Sequence, residues 1–316
     1  MKVLILCSHR YYAPYTDYVA PFIYEQMQNL KPLGCEFQVC FVRGGGLMSY
    51  LRALRSLKRQ IDVFRPDLIH AHYGLCCLVA NMQRRIPVVS TFHGSDINSK
   101  WILPFSRLAA KLSARSIFVS EGLYLKAGVS KNAVIIPCGV KMDVFYPMEK
   151  EKCREQFDMD KDKKYILFSK AFNVEVKNYP LAKAAIDLLC KEKINITLVE
   201  LKNYTRQQVA MLFNACDCAL LTSVEEGSPQ FIKEAMACNC PIVSVDVGDV
   251  KNTLNGVRNC YITAYDAREI AERIKDCLSV GQRSNDERIQ VEKKFSADII
   301  AHKMVSVYQQ VIISKP

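Results

Sequence analysis

The chain reads as an α/β protein built from two Rossmann-like βαβ domains, and three observations predict this. Its 316 residues exceed the span over which a single core keeps growing, which favours two domains of roughly 150 residues each. Half of the residues are hydrophobic, enough to bury a core in both. Short runs rich in Val, Ile and Leu alternate with helical periodicity, as parallel strands covered on both faces do.

In the first half, strands are expected at Val3 to Cys7, Phe37 to Val42, Leu68 to Ala71, Val88 to Thr91, Ile117 to Val119 and Val134 to Ile136. A polar, charged stretch from Lys150 to Lys164 then reads as a linker, and the alternation restarts with strands at Ile166 to Ser169, Ile196 to Val199, Ala219 to Thr222 and Ile242 to Val245. Thr205-x-x-Gln208 reads as a capping box opening a helix. The expected division is 1–150 for the first domain and 151–295 for the second. A long last helix, 296–316, is expected to reach back onto the first domain. Doubly wound domains bind ligands beyond the carboxyl ends of their strands, so the chemistry is sought in a cleft that the two domains face.

Fourteen cysteines could suggest disulfides, but Cys7, Cys40, Cys190 and Cys218 lie in or beside apolar runs, where a reduced cysteine acts as a small hydrophobe. Cys216-x-Cys218 with Cys238-x-Cys240 is too tightly spaced for zinc, and no metal or other cofactor is expected. The apolar stretch Met1 to Cys7 is too short for a signal core, and no run reaches membrane-spanning length, so a cytoplasmic protein is expected. The net charge of +11 is uneven: residues 1–150 hold 19 Lys and Arg against 9 Asp and Glu, and residues 151–316 hold 24 against 23. A basic first half fits an anionic membrane, an acidic substrate or simply a soluble surface. No nucleic-acid recognition motif accompanies it, and no nucleic-acid partner is expected. Arg52, Arg55, Lys58 and Arg59, near a predicted helix, are the candidates for docking the protein peripherally on an anionic membrane.

The segment Ser223 to Ala237 (SVEEGSPQFIKEAMA) carries the chemistry. A strand ends near Thr222, and Ser228-Pro229 reads as an N-cap with proline in the first helical turn. A helix N-terminus so placed favours an anion such as a diphosphate, and Gly227 lets a ligand approach the backbone. Glu226 and Glu234, eight positions apart, are two carboxylates suited to sugar and ribose hydroxyls; on spacing alone they could equally be loop surface and a solvated helical position.

This stretch, continued through Pro241-Ile242-Val243 to Gly248, resembles the E-x7-E signature of retaining glycosyltransferases of family 4, which have the GT-B fold. Arg65-Pro66-Asp67-Leu68-Ile69-His70-Ala71-His72, then Thr91-Phe92-His93-Gly94-Ser95-Asp96, then Ile136-Pro137-Cys138-Gly139-Val140 resemble further family segments in the same order. The resemblance implies a hexosyl transfer from a nucleotide diphosphate sugar to a sugar or lipid-linked acceptor, as in bacterial capsule or surface polysaccharide synthesis. It implies Glu226 and His93 at the transferred sugar, Glu234 at the ribose, and the backbone of Gly227, Ser228 and Pro229 at sugar and phosphate. It also implies phosphate-binding cations in Leu167 to Asn178, where Lys177 matches and Ser169-Lys170 stands in place of the usual Gly-Arg. Lysine there offers a point charge and no bidentate fork. Tyr15 and Tyr18, with Gly94 and Asp96, are candidates for the acceptor side; the aromatic cluster Tyr11, Tyr12, Tyr15 and Tyr18 would line it or pack the loop. His70 and His72 read as strand-end structure.

Two rival readings carry their own features. Gly44-Gly45-Gly46-Leu47-Met48-Ser49 nearly matches a dinucleotide fingerprint and would suit a nicotinamide-dependent oxidoreductase, but it lacks the last glycine and follows the second strand. A noncatalytic sugar or nucleic-acid binding protein would rest on the basic first half alone.

Overall fold

The computed structural model describes residues 1–9, 19–129, 131–279 and 283–314. Two compact units emerge, Met1–Gly139 with Ala297–Pro316, and Val140–Ser296.

The first unit holds a six-stranded parallel sheet: β1 (Lys2–Ser8), β2 (Glu36–Val42), β3 (Leu68–His72), β4 (Val88–Phe92), β5 (Arg115–Phe118) and β6 (Ala133–Ile135), in the order β2-β1-β3-β4-β5-β6. Alternate residues of β1 serve opposite faces, as the period of a strand requires. Leu4 and Leu6 join a cluster with Ala53, Leu57 and Ile61 of helix Leu47–Phe64, Cys76 and Ala80 of helix Gly74–Asn81, and Ala109 of helix Leu103–Leu112. Val3, Ile5 and Cys7 pack instead with Ile23 and Met27 of helix Pro21–Leu30 and with Ile300, Met304 and Tyr308 of helix Ala297–Ile313. The C-terminal helix thus completes the second covering layer of this sheet. Gly139 lets it seat: a Cβ there would lie 2.9 Å from Ala297 Cα.

The second unit holds β7 (Lys164–Phe168), β8 (Ile196–Glu200), β9 (Cys218–Leu221), β10 (Ile242–Val245) and β11 (Cys260–Thr263), all parallel, in the order β11-β10-β9-β7-β8. Every strand expected from the sequence has a counterpart, and β11 is an addition. It is a short edge strand, paired only with β10 and mostly half-buried, so it lacks the long apolar run that marks a central strand.

The division at Gly139 falls earlier than position 150, because Val140 and Phe145 are buried in the second unit's core and Val140 N–H donates to Phe295 O at 2.8 Å. The stretch read as a linker is packed structure. It begins with helix Lys150–Glu155, and its Arg154 is buried, donating to Ala215 O (3.0 Å), Lys161 O (2.8 Å) and the Asp217 carboxylate (3.0 Å). Asp217 also accepts from Lys150 Nζ at 2.5 Å and Tyr165 N–H at 2.7 Å. Most charged side chains of this segment are exposed, but Arg154 ties it to a buried ionic hub at Asp217, a contact that composition does not reveal.

Candidate active site

In the second unit β7 and β9 are neighbours, while the connection after β7 runs outward to β8 and those after β9 run the other way. This is the switch point of the sheet, where a crevice opens beyond the strand ends. The loop after β7 carries Ser169 and Lys170 and leads into the turn Glu175–Lys177, and the loop after β9 carries Glu226 to Pro229. The two loops are laced together. Thr222 Oγ1 donates to the carbonyls of Lys177 (2.8 Å) and Asn178 (3.1 Å), and Val224 N–H donates to Val176 O at 3.0 Å.

Lys177 Nζ donates to Glu226 Oε1, with both side chains largely buried. Glu234, on helix Gln230–Ala237, is 4% exposed and accepts from Arg206 Nη2 at 2.6 Å. That burial overturns the picture of Glu234 as a solvated helical position. Lys170 stands near both pairs: partial burial and the Lys177 ammonium lower its pKa, and Glu234 opposes them. Three cations, Lys170, Lys177 and Arg206, therefore face two carboxylates. The surplus positive charge at a helix N-terminus suits a diphosphate.

Ser228 does not cap the helix. Pro229 occupies the N-cap position, and Ser228 Oγ donates to Asp249 Oδ2 at 2.6 Å while accepting from Lys233 Nζ at 3.2 Å. Lys233 is 1% exposed, so its charge is answered inside the protein by Ser228 and Asp249. Burial raises the Asp249 pKa, and Lys233 is the largest influence against it. Gly248 allows this second loop to lie against the first: at φ 61° a Cβ would stand 2.9 Å from Gly227 O. Burial, Asp246 and Glu226 raise the pKa of Tyr265, whose hydroxyl donates to Ser223 O at 2.9 Å.

Sequence reading missed Arg206, Lys233, Asp249 and Tyr265. Arg206 directly follows the capping residue Thr205, whose capping box forms as expected, and so emerges at the start of a helix beside the site. That adjacency was a usable signal; the contacts of Lys233, Asp249 and Tyr265 depend on tertiary folding alone.

His93, Gly94 and Asp96 belong to the first unit. His93 follows β4, and its Nε2 lies 3.0 Å from His72 Nδ1, with Phe22 and Tyr73 rings packed near 4.8 and 4.9 Å. Asp96 is turned inward, contrary to an acceptor-side role. Its carboxylate accepts from the backbone N–H groups of Gly74 (3.2 Å), His93 (3.1 Å) and Gly94 (2.9 Å), which holds the His93 loop in shape. His70 lies in the middle of β3 and not at its end, buried, with Nδ1 2.6 Å from the Tyr308 hydroxyl and Nε2 2.7 Å from Thr91 Oγ1. Tyr11, Tyr12, Tyr15 and Tyr18 lie outside the described residues. Among the described residues, no group of three or more His, Cys, Asp or Glu could hold a metal ion. Cys216, Cys218, Cys238 and Cys240 are core side chains whose thiol pKa values burial raises.

Burial lowers the pKa of His70 and His93 to about 3 and that of His72 well below 6.5, and raises that of Asp96 to about 6. The histidines bind protons near pH 6.5 when unfolded but resist them when folded. Their contribution to stability is complete above about 6.5 and is lost as pH falls toward 3. Asp96 acts oppositely, since its folded form holds a proton over a range in which the unfolded form has lost it. Three groups outweigh one, so the thermal midpoint should be lower at about pH 5 than at about pH 7.5, and a flat profile would contradict these shifts.

The sequence pattern of Glycosyltransferase Family 4 matches residues 19–144, and that of Glycosyl transferases group 1 matches residues 179–279. Both patterns are those of glycosyltransferases, one in each half of the chain. The chain is 26% identical over 251 residues to a Bacillus subtilis protein named as a teichuronic acid biosynthesis glycosyltransferase, TuaC, an alignment covering 70% of the chain and 64% of the relative. It is also 26% identical over 241 residues to the N,N'-diacetylbacillosaminyl-diphospho-undecaprenol alpha-1,3-N-acetylgalactosaminyltransferase of Campylobacter jejuni, covering 65% of the chain and 63% of the relative. The chain thus spans less than two thirds of either relative's own length. Among solved structures, sucrose-phosphate synthase from Thermosynechococcus elongatus superposes with a TM-score of 0.84 at 17% identity, covering 99% of this chain and 100% of the other. Anabaena HepE in complex with UDP-glucose does so with a TM-score of 0.76 at 16% identity, covering 98% and 100%. The chain shares their GT-B fold.

Proposed function

We propose that the chain transfers a sugar, with retention, from a nucleotide diphosphate donor to a lipid-linked acceptor in the synthesis of a bacterial surface polysaccharide. The observation that carries this reading is the cluster at the β7/β9 switch point, where two buried carboxylates are each paired with a cation beside a helix N-terminus. Lys177, with Lys170, neutralises the departing diphosphate, and Glu234 holds the ribose. Glu226 and the backbone of Gly227 to Pro229 hold the sugar as it gains oxocarbenium character. The bond from the anomeric carbon to phosphate breaks, the bond to the acceptor oxygen forms on the same face, and the acceptor proton leaves on the phosphate. The neutral imidazole of His93 suits a hydrogen bond to a sugar hydroxyl. The protein's own cations serve the leaving group, so the reaction in this reading needs no metal.

The lipid-linked acceptor and the polysaccharide role follow the names of the two relatives. Docking on anionic membrane through Arg52, Arg55, Lys58 and Arg59 of helix Leu47–Phe64 fits such an acceptor; no helix among the described residues is long and apolar enough to cross a membrane. A nicotinamide enzyme is disfavoured because the glycine run Gly44 to Gly46 follows β2, the edge strand, and not β1 at the switch point.

A panel of UDP, GDP and ADP sugars tests the reading by thermal stabilisation, since a donor that binds only the folded state raises the midpoint. One nucleotide series should stabilise at submillimolar concentration without added metal and in the presence of EDTA. Stabilisation by NADH and by none of the sugars would overturn it.

A further inference from the structure

On the first unit, Trp101 is 88% exposed, and Phe105 and Leu108 beside it are 49% and 47% exposed. The helix Leu103–Leu112 buries Ser106, Ala109 and Ala110 against its neighbours, so its seated face is fully occupied. Phe105 and Leu108 share the opposite face of the helix, and Trp101 lies in the turn that leads into it. Arg107 donates to the carbonyls of Ala127 (2.8 Å) and Lys126 (3.1 Å), which sets helix Glu121–Ala127 alongside, and its Leu125 is 67% exposed. Large apolar side chains exposed together mark an interaction surface.

The charge of this segment is of one sign: Lys100, Arg107 and Lys111 are exposed, and no Asp or Glu occurs from Asn98 to Leu112. On the neighbouring helix the exposed Lys126 and Glu121 offset one another. A second copy of the chain would bring Lys100, Arg107 and Lys111 face to face in a two-fold contact, which opposes self-association. An anionic bilayer answers both features. Tryptophan and phenylalanine settle at the boundary between headgroup and acyl chain, and lysines reach up from it to the phosphates.

We propose that Trp101, Phe105 and Leu108 insert into the headgroup boundary of an anionic membrane, anchoring the first unit. This deepens the reading of a lipid-linked acceptor and rests on it. It is separate from the basic helix Leu47–Phe64, which offers attraction without the same aromatic anchor.

Trp101 is the chain's only tryptophan and reports its own environment. With vesicles of phosphatidylcholine and phosphatidylglycerol, its emission should shift to the blue and be quenched by lipids brominated along the acyl chain. Pure phosphatidylcholine should produce little of either. Phe105→Asp with Leu108→Asp should abolish the shift and weaken vesicle binding on the order of ten-fold or more. The circular dichroism spectrum and the stabilisation by donor nucleotide should stay as in the wild type. Cosedimentation with unmoved Trp101 emission would overturn the anchor while leaving membrane docking elsewhere intact. A concentration-dependent dimer lost in the double variant would assign the patch to self-association instead, and absence of vesicle binding would overturn the inference outright. Donor stabilisation is read separately, so failure here and failure of the transferase reading are distinguishable.

Discussion

Lys177→Ala should lower kcat by about 10²–10³, the scale of losing one preorganised electrostatic contact to a developing charge. Two effects of one side chain combine. In the proposed reaction the ammonium meets the leaving diphosphate, and in the structure it is the partner of Glu226, whose side chain is 14% exposed. Removing Lys177 therefore weakens leaving-group stabilisation and frees a carboxylate that is to hold the sugar. Glu226→Ala should be comparably damaging, and the double variant should be far less than additive, because the two act as one unit. Lys177→Arg keeps the charge and should recover part of the rate. Steady-state kinetics on the four proteins would check this, with folding verified by circular dichroism. Near-normal turnover in Lys177→Ala would remove the residue from the chemistry.

Asp217→Ala should destabilise the second unit by about 3–5 kcal/mol, the cost of breaking a buried ion pair from one side. The side chains of Asp217 and Arg154 are 7% and 8% exposed, so Arg154 would be left as a buried charge without its anion. The N–H of Tyr165, the second residue of β7, would also lose its acceptor. Lys150 is 36% exposed at its side chain and can turn to water, so Lys150→Ala should cost under about 1 kcal/mol. Urea unfolding followed by far-ultraviolet circular dichroism would separate the two. Equal and small shifts for both variants would show that Asp217 is not the hub its contacts describe.

The parts of this protein that were legible before folding share a property: they rest on local pattern. Buried parallel strands are continuous apolar runs, so ten of the eleven strands among the described residues could be placed from sequence, and β11 escaped because an edge strand needs no such run. The Thr205 capping box spans four residues and formed as read. Contacts between distant segments were not legible. Asp217 reaches back to Arg154 and Lys150, which turned an apparent linker into packed structure. Asp249 captures Ser228, which leaves Pro229 at the head of the helix. Glu234 was visible as a carboxylate at a suggestive spacing, but Arg206, which pairs with it, approaches from another helix. Asp96 was visible as part of the segment after His93. Its commitment to three backbone N–H groups makes it a support for that loop, a role that composition does not separate from ligand contact.

The most direct test of donor binding at the β7/β9 switch point is calorimetric titration of UDP, GDP and ADP, with NADH as the comparison, into the wild-type protein and into Lys177→Ala. One nucleoside diphosphate should bind the wild type at a single saturable site and bind the variant at least ten-fold more weakly, a loss of about 1.4 kcal/mol or more. Preference for NADH, or equal affinity of the two proteins for the diphosphate, would contradict it.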